Sequence, residues 1–230
     1  MTQASVVTVG VDASPPPPLC FGLPNTPDFR GFEVDLLGAI AAKLGVTLRY
    51  RSARWSEAFA ELQAGRLDMI CSAATITAER RNIVAFSDPY LEAELTLIVR
   101  HDSFVRRAED LRDRTIGVRV ATVAEAYVRE RCHAATVHTF HLNVDAYQAL
   151  RDGVVEAVVD DRPIADHFAR SVGGLRPAAP IAGTGFAYGI VFARGNDGLR
   201  DAVNRALADL KADGTWGRFC LRWFPRETAP

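Results

Sequence analysis

The chain has 230 residues and a formal net charge of −1, with 27 lysine and arginine residues against 28 aspartate and glutamate residues. This balance argues against a nucleic-acid-binding protein or a polybasic membrane anchor, because both need an excess of basic residues. Hydrophobic residues make up 48% and charged residues 24%, which is ordinary for a globular protein, and no apolar run is long enough to span a bilayer. The length suffices for one large or two small domains.

The first half of the chain is predicted to alternate strands and helices. Short apolar runs predict the strands, and apolar residues at three- and four-residue spacing predict the helices. Ser56 is the expected N-cap of the second helix, and Gly45 is placed to end the first. The predicted elements are strands at 6–11, 46–51 and 67–71, and helices at 31–45 and 56–65.

A segment of the first half recurs in the second half at a constant offset of 88 residues. LQAGRLDMI at 62–70 matches LRDGVVEAV at 150–158, and both copies are expected to form a helix end, a glycine turn and a buried strand. A strand at 115–118, a helix at 124–131 and a strand at 136–140 precede the second copy, in the same order as in the first half. Helix-glycine-strand is also generic in α/β chains, but the repeat favours two similar α/β lobes.

Two extended apolar stretches, at 95–99 and 186–192, flank the second copy and are expected to carry the chain between the lobes. The C-terminal part of the chain is predicted to form two helices, one capped by Asn196 and one at 215–224. The expected lobe 1 is therefore residues 1–97 with 186–230 returning to it, and lobe 2 is residues 98–185.

Polar residues follow the two repeat strands. Thr75 and Arg80 come after the first strand, and Asp160 and Asp161 come after the second. Ligands of open α/β sheets bind beyond the carboxyl ends of the strands, arginine grips carboxylates with two bonds, and aspartate pairs with ammonium groups. The pattern favours a zwitterionic ligand on which the two lobes close. The alternatives are a surface arginine for Arg80 and a helix N-cap for Asp161.

Three ordered motifs resemble the bacterial extracellular solute-binding proteins of family 3, the polar amino-acid receptors of ABC importers. They are GFEVDL at 31–36 with Ile40, Ala41 and Leu44; TITAER at 75–80 with FSDPY at 86–90; and ADGTW at 212–216. The resemblance covers nearly the whole chain. It implies an α/β periplasmic-binding-protein clamshell, in which each lobe is a mixed sheet flanked by helices and two hinge strands join the lobes.

The function implied by the resemblance is binding of a polar amino acid in the interlobe cleft and delivery to an ABC transporter membrane permease. It further implies a monomer that is periplasmic or extracellular, without a cofactor and without catalytic activity. The N-terminal residues lack the features of a signal peptide, so we expect either a cytoplasmic protein or an export signal that lies upstream of residue 1.

Matching the family motifs position by position implies a role for each site residue. Arg80, Thr75 and Thr122 would hold the ligand carboxylate. Asp161 would bind the ammonium group, and Ala73 would offer backbone groups. The remaining implied ligand contacts are Asp12, Trp55, Arg119 and Asp160. The alternative for Trp55 is a position in the hydrophobic core, which is the commoner place for tryptophan.

Two positions depart from the family pattern. Pro15 stands where an aromatic lid is usual, and Ala121 stands where glycine is usual. A methyl group at 121 disfavours a positive φ and would shift the carboxylate donors. The charged positions leave open whether the ligand side chain is cationic, an amide or acidic.

Three other functions share features with this sequence. Cyclohexadienyl dehydratases resemble the same family and add a catalytic glutamate about where this chain has Ile164, which cannot transfer protons. The second is a metal-binding protein, because one short stretch contains Cys132, His133, His138 and His141. However, His138 and His141 would point to opposite faces of a strand, so we expect no metal site. The third rival is a ligand-sensing domain of a signalling receptor with the same fold.

The cysteines predict no disulfide framework. They form no CxxC pair and lie far apart, so we expect buried or free thiols and leave any pairing open. The four are Cys20, Cys71, Cys132 and Cys220.

Overall fold

A computed structural model of the protein describes residues 5–132 and 136–224. The chain divides into two compact units, of which unit 1 is Met1–Leu91 with Ala187–Pro230 and unit 2 is Glu92–Phe186. Each unit has its own five-stranded sheet. Among the described helices, none has both the length and the apolar character needed to cross a membrane.

Unit 1 is a mixed sheet flanked by helices. Its sheet strands are β1 (Val6–Asp12), β2 (Thr47–Ala53), β3 (Met69–Ile70), β4 (Ala85–Phe86) and β12 (Val191–Phe192). Its helices are α1 (Phe32–Leu44), α2 (Trp55–Gln63), α3 (Ala78–Arg81), α7 (Asp197–Ala212) and α8 (Thr215–Trp223). The strand order is β2-β1-β3-β12-β4, in which β1 is parallel to β2 and β3, and β12 is antiparallel to β3 and β4.

Unit 2 repeats this topology. Its sheet strands are β6 (Leu95–Arg100), β7 (Thr115–Arg119), β8 (Thr136–Phe140), β9 (Ala157–Asp161) and β10 (Leu175–Pro180). Its helices are α4 (Val123–Arg131), α5 (Asn143–Arg151) and α6 (Arg162–Ser171), with a 3-10 turn at Ala108–Leu111. The order β10-β6-β9-β7-β8 has β7 parallel to β8 and β9, and β6 antiparallel to β9 and β10.

The internal repeat predicted from the sequence is confirmed, because its two copies occupy equivalent places in the two sheets. Gly65 and Gly153 both take left-handed turns, with φ of 70° and 78°, between a helix and a central strand. Three residues later in each copy, a carboxylate accepts a backbone N–H of the neighbouring strand. Asp68 Oδ2 accepts from Thr8 N at 2.7 Å, and Glu156 Oε2 accepts from Thr115 N at 3.0 Å.

The second helix begins one residue before the expected N-cap. Ser56 lies inside the first turn of α2, and the N-cap is Arg54, whose backbone is extended. The carbonyl of Arg54 accepts the N–H groups of Glu57 and Ala58, so the first helical bonds form there. The first helix ends as predicted, with Gly45 in the left-handed conformation at its C-cap.

The chain passes between the units earlier than expected. The stretch at 95–99 is not a crossing segment, because it is buried in the sheet of unit 2 as β6, between β9 and β10. The first boundary therefore lies at Leu91/Glu92 instead of after residue 97, and the second lies at Phe186/Ala187. Near these boundaries, β5 (Leu91–Ala93) and β11 (Phe186–Tyr188) pair in a two-stranded sheet.

Candidate functional site

The carboxyl ends of β1 and β3 in unit 1 are tied together by polar side chains. The N–H of Asp12, the last residue of β1, donates to Ser72 Oγ at 3.2 Å. The Asp12 Oδ1 atom accepts from Ser14 N at 2.9 Å, and both Asp12 and Ser72 are buried. Pro15 follows in the same loop and is half-buried. Asp12 therefore lies beside the loop that leads to Ala73 and Thr75, two of the predicted ligand contacts.

Ala73 has a left-handed backbone, with φ of 49°. Its N–H donates to Glu33 Oε1 at 2.7 Å, and the same oxygen accepts the Tyr90 hydroxyl. Glu33 is 1% exposed. Burial raises the pKa of Glu33 to about 7, although the hydrogen bonds from Tyr90 and Ala73 oppose the rise. Sequence reasoning missed Glu33, although its acidic side chain in the first turn of α1, within the GFEVDL segment, was a signal for it.

Arg80 contacts two other predicted site residues. Its Nη1 donates to the carbonyl oxygen of Thr75 at 3.0 Å, and its guanidinium carbon lies 5.2 Å from the centroid of the Trp55 ring. The same guanidinium carbon lies 5.6 Å from the centroid of the Phe59 ring, a residue that the sequence did not indicate as part of the site. Thr77 caps α3 by accepting the Arg80 N–H. Arg80 is thus half-buried and packed on aromatic rings, which differs from an ordinary surface arginine.

In unit 2, Arg119 and Asp160 are both engaged by neighbours within the unit. Arg119 ends β7, is buried, and donates through Nε to the His141 carbonyl at 3.1 Å. Asp160 Oδ2 accepts from Asn143 Nδ2 at 2.8 Å and from the Tyr147 hydroxyl at 3.0 Å. Burial raises the pKa of Asp160, while these hydrogen bonds and the positive charge of Arg119 oppose the rise. The carboxylate joins the end of β9 to helix α5.

Asp161 ends β9 at the N-cap position of α6, but its side chain makes no capping hydrogen bond. Its backbone N–H donates to Asp160 Oδ1 at 2.8 Å. Pro163, in the first turn of α6, has no N–H that needs a cap. The helix-capping alternative for the Asp161 carboxylate is therefore not the role that the structure shows.

In the loop after β7, Ala121 adopts a positive φ, which its methyl group disfavours. Ala121 has φ of 61°, and its N–H donates to Glu125 Oε2 at 2.8 Å. Thr122 caps α4 by accepting the Glu125 N–H at 3.3 Å, and its hydroxyl donates to the Arg119 carbonyl at 2.7 Å. The expectation that Ala121 would avoid a positive φ was wrong, because the Glu125 carboxylate stabilises this backbone geometry.

Metal and disulfide chemistry receive no support from residues 5–132 and 136–224. No group of three or more His, Cys, Asp or Glu side chains in these residues could hold a metal ion. His133, from the crowded stretch, lies outside the described residues, and His138 and His141 are exposed. The cysteines are free thiols, of which Cys20 and Cys71 are buried.

Comparison with known proteins assigns the family. The profile of the bacterial extracellular solute-binding proteins, family 3, matches residues 7–226. The L-cystine-binding protein TcyJ of Escherichia coli (strain K12) is 28% identical over 229 residues, covering 96% of this chain and 84% of that protein.

Solved structures are similar to this chain over nearly its whole length. An ancestral arginine-binding protein bound to glutamine has a TM-score of 0.88 and 32% identity, covering 96% of this chain and 99% of that chain. The ancestral amino-acid-binding protein AncCDT-1, a precursor of cyclohexadienyl dehydratase, has a TM-score of 0.87 and 30% identity, covering 96% and 95%. These likenesses confirm the predicted two-lobed α/β fold class. The chain belongs to the bacterial extracellular solute-binding proteins of family 3.

Proposed function

We propose that the protein binds one polar amino acid through residues of both units and delivers it to the membrane permease of an ABC transporter. It would act as a monomer in the periplasm or the extracellular space. The family match and the relatives that bind cystine, arginine or glutamine support this ligand class. The family consists of solute-binding proteins, and the chain has the buried, aliphatic Ile164 near the position of the dehydratases' catalytic glutamate, which supports binding without catalysis.

The observation that carries the proposal is the fixed guanidinium of Arg80. Its contacts with the Thr75 carbonyl and the Trp55 ring hold it in one orientation. A guanidinium has five N–H donors in a planar fork, so the bond to the Thr75 carbonyl is compatible with a two-bond grip on a carboxylate. Preorganisation of this kind lowers the entropy cost of binding. We assign the α-carboxylate of the ligand to Arg80 and Thr75.

The α-ammonium group is assigned to Asp161, a buried carboxylate at the end of a central strand. Because the Thr122 hydroxyl proton is directed to the Arg119 carbonyl, we assign the Thr122 contact with the ligand carboxylate to its backbone N–H. Ala73 would contribute its backbone carbonyl, since its N–H donates to Glu33 Oε1. Asp12 and Trp55 would line the space for the ligand side chain.

Arg119 and Asp160 receive a different role from the one that the family resemblance implies. Both side chains have hydrogen-bond partners within unit 2, and the Asp160 carboxylate accepts from three donors. We propose that they hold the strand ends and the Asp161 backbone in place, and that any influence on the ligand side chain is indirect.

The test uses ligand derivatives that lack one end of the zwitterion. Protein refolded from denaturant, and so free of carried-over ligand, is titrated calorimetrically with L-arginine, L-glutamine and L-cystine. Each ligand that binds is then compared with its α-amide or methyl ester and with its Nα-acetyl form. We expect 1:1 binding of at least one amino acid and a loss of at least about 30-fold for each derivative, because each leaves a charged group unpaired. Equal affinity for a free amino acid and its Nα-acetyl form would contradict the assignment of Asp161.

A further inference from the structure

Two alanines take a backbone conformation that residues with a Cβ atom disfavour. Ala73 and Ala121 have φ of 49° and 61°. Each lies in the loop after a central strand, Ala73 after β3 in unit 1 and Ala121 after β7 in unit 2. A left-handed alanine persists only where its surroundings stabilise it.

Each unit stabilises its left-handed alanine with a glutamate from the first turn of a helix. Glu33 of α1 accepts the Ala73 N–H at 2.7 Å, and Glu125 of α4 accepts the Ala121 N–H at 2.8 Å. A hydrogen bond to a carboxylate is stronger than one to a neutral oxygen. The two loops therefore share one device, although the sequences around them differ.

The two glutamates have different surroundings. Glu33 is fully enclosed, and Tyr90, Asp12 and Cys71 lie close enough to interact with its charge. Glu125 has a side chain that is 16% exposed and pairs with Arg129 at 2.9 Å. A substitution of Glu125 is therefore the milder perturbation of folding.

We propose that Glu33 and Glu125 are positioning residues of the amino-acid site. Each holds its alanine in the left-handed conformation and thereby fixes the direction in which the following loop residues present their polar groups. In unit 1 the positioned residue is Thr75, which lies two residues after Ala73, and in unit 2 it is Thr122, which directly follows Ala121. The inference rests on the proposed function, since it names residues that act on the same site.

The test first removes each carboxylate and then replaces the left-handed alanine with glycine, which does not require the carboxylate to adopt a positive φ. Glu33→Met and Glu125→Ala delete the acceptor, and Glu130→Ala, an exposed glutamate on the same helix as Glu125, is the control. Each variant is also made with glycine at the alanine, Ala73→Gly or Ala121→Gly, because glycine adopts a positive φ without steric cost. Affinity for whichever of L-arginine, L-glutamine and L-cystine binds the wild type is measured on protein shown to be folded.

We expect Glu33→Met and Glu125→Ala to weaken binding by at least about fivefold, as small misplacements of binding groups do. The glycine substitutions should restore most of the affinity, and Glu130→Ala should leave it unchanged. A merely structural role would lower stability without this recovery by glycine. If Glu33→Met does not fold, the Glu125 pair decides the question. Wild-type affinity in Glu125→Ala, or no recovery in Glu125→Ala with Ala121→Gly, would overturn the proposal.

Amide hydrogen exchange separates this inference from the proposed function. In ligand-free protein, the Ala73 and Ala121 amides should exchange slowly, and removal of the facing carboxylate should accelerate the exchange of that amide by about tenfold or more. If no amino acid binds the wild type, the proposed function fails, and unchanged exchange would still overturn the positioning role. If the wild type binds and Arg80→Ala does not, while the glutamate variants bind normally, only the positioning role fails.

Discussion

Arg80 Nη1 donates to the carbonyl oxygen of Thr75 at 3.0 Å, so the two residues assigned to the ligand carboxylate in unit 1 are bonded to each other. The five-residue spacing places Arg80 in the short helix α3, which begins three residues after Thr75. The aromatic rings of Trp55 and Phe59, both from α2, then pack against the guanidinium. A local motif and one neighbouring helix are enough to fix the orientation of the arginine.

Arg80→Ala should reduce amino-acid affinity by more than about 30-fold, because truncation of one member of a desolvated charge pair costs roughly 2–5 kcal/mol. Arg81→Ala is the matched control, since Arg81 is the exposed next residue of the same helix. Calorimetric titration of both variants measures the difference. A loss of less than about tenfold in Arg80→Ala, equivalent to 1.4 kcal/mol, would remove Arg80 from the ligand site.

Asp160→Ala should destabilise the protein by about 3 kcal/mol or more, because it leaves the buried polar groups of Asn143 and Tyr147 without their acceptor. Tyr147→Phe, which removes only one of the two donors, should cost about 1 kcal/mol. Urea unfolding of the two variants and the wild type gives these free energies. Should Asp160→Ala unfold at the wild-type midpoint, the buried network would not be the reason for this carboxylate.

The stability of the protein should depend on pH through Glu33. Burial raises its pKa from the ordinary value of 4.5 to about 7, so the folded state binds this proton more tightly than the unfolded state does. The stabilisation is present in full below pH 4.5 and is lost as the pH rises through 7, a change of about 3 kcal/mol.

Glu33→Gln removes this titration and serves as the reference for all other groups. The difference in unfolding free energy, wild type minus Glu33→Gln, should fall by about 3 kcal/mol between pH 4.5 and pH 7.5. Urea unfolding at several pH values measures the difference. A difference that stays constant over this range, or that grows with pH, would contradict the raised pKa.

Gly65→Ala should destabilise unit 1 by about 1 kcal/mol, because Gly65 has φ of 70° and open space around its Cβ position, so only backbone strain acts. At this chain length the melting temperature should fall by about 2–4 °C. Gly38→Ala, in the middle of α1 and also in open space, should instead raise it, since alanine favours helices. Equal melting temperatures for both variants would show that the glycine turn of the repeat is dispensable.

The fold was predictable from the sequence where the signal was local and periodic. The helix-glycine-strand repeat located the central strands β3 and β9, because glycine turns and buried runs are visible without tertiary information. The sequence did not indicate which side chains of the repeat pack against glycines of the neighbouring strands. Leu67 lies over Gly10, and Val155 lies over Gly117, where a Cβ atom would meet these side chains at 2.5 and 3.3 Å. The first crossing segment was misplaced because a buried central strand and an apolar linker have the same composition, whereas the second boundary lies within the predicted stretch 186–192.

The site was predictable to different depths in the two units. Thr75, Arg80 and Trp55 come together because motif spacing and one helix determine their contacts. Asp160 has a role that depends on Asn143 and Tyr147, whose facing side chains no sequence pattern indicates. Glu33 and Glu125 accept backbone N–H groups from loops that only the folded structure brings close to them, so their roles were not predictable either.

The central claim, that this protein is an amino-acid receptor, is tested most directly by a thermal-shift screen. Protein stripped of ligand by unfolding and refolding is scanned with the twenty amino acids, ornithine, citrulline, cystine, prephenate and arogenate. A ligand at 1,000 times its dissociation constant adds about 4 kcal/mol, which corresponds to roughly 8–16 °C at this chain length. We predict a clear shift with one or a few amino acids, lost in Arg80→Ala. A flat response to all of them, from protein that refolds fully, would contradict the account.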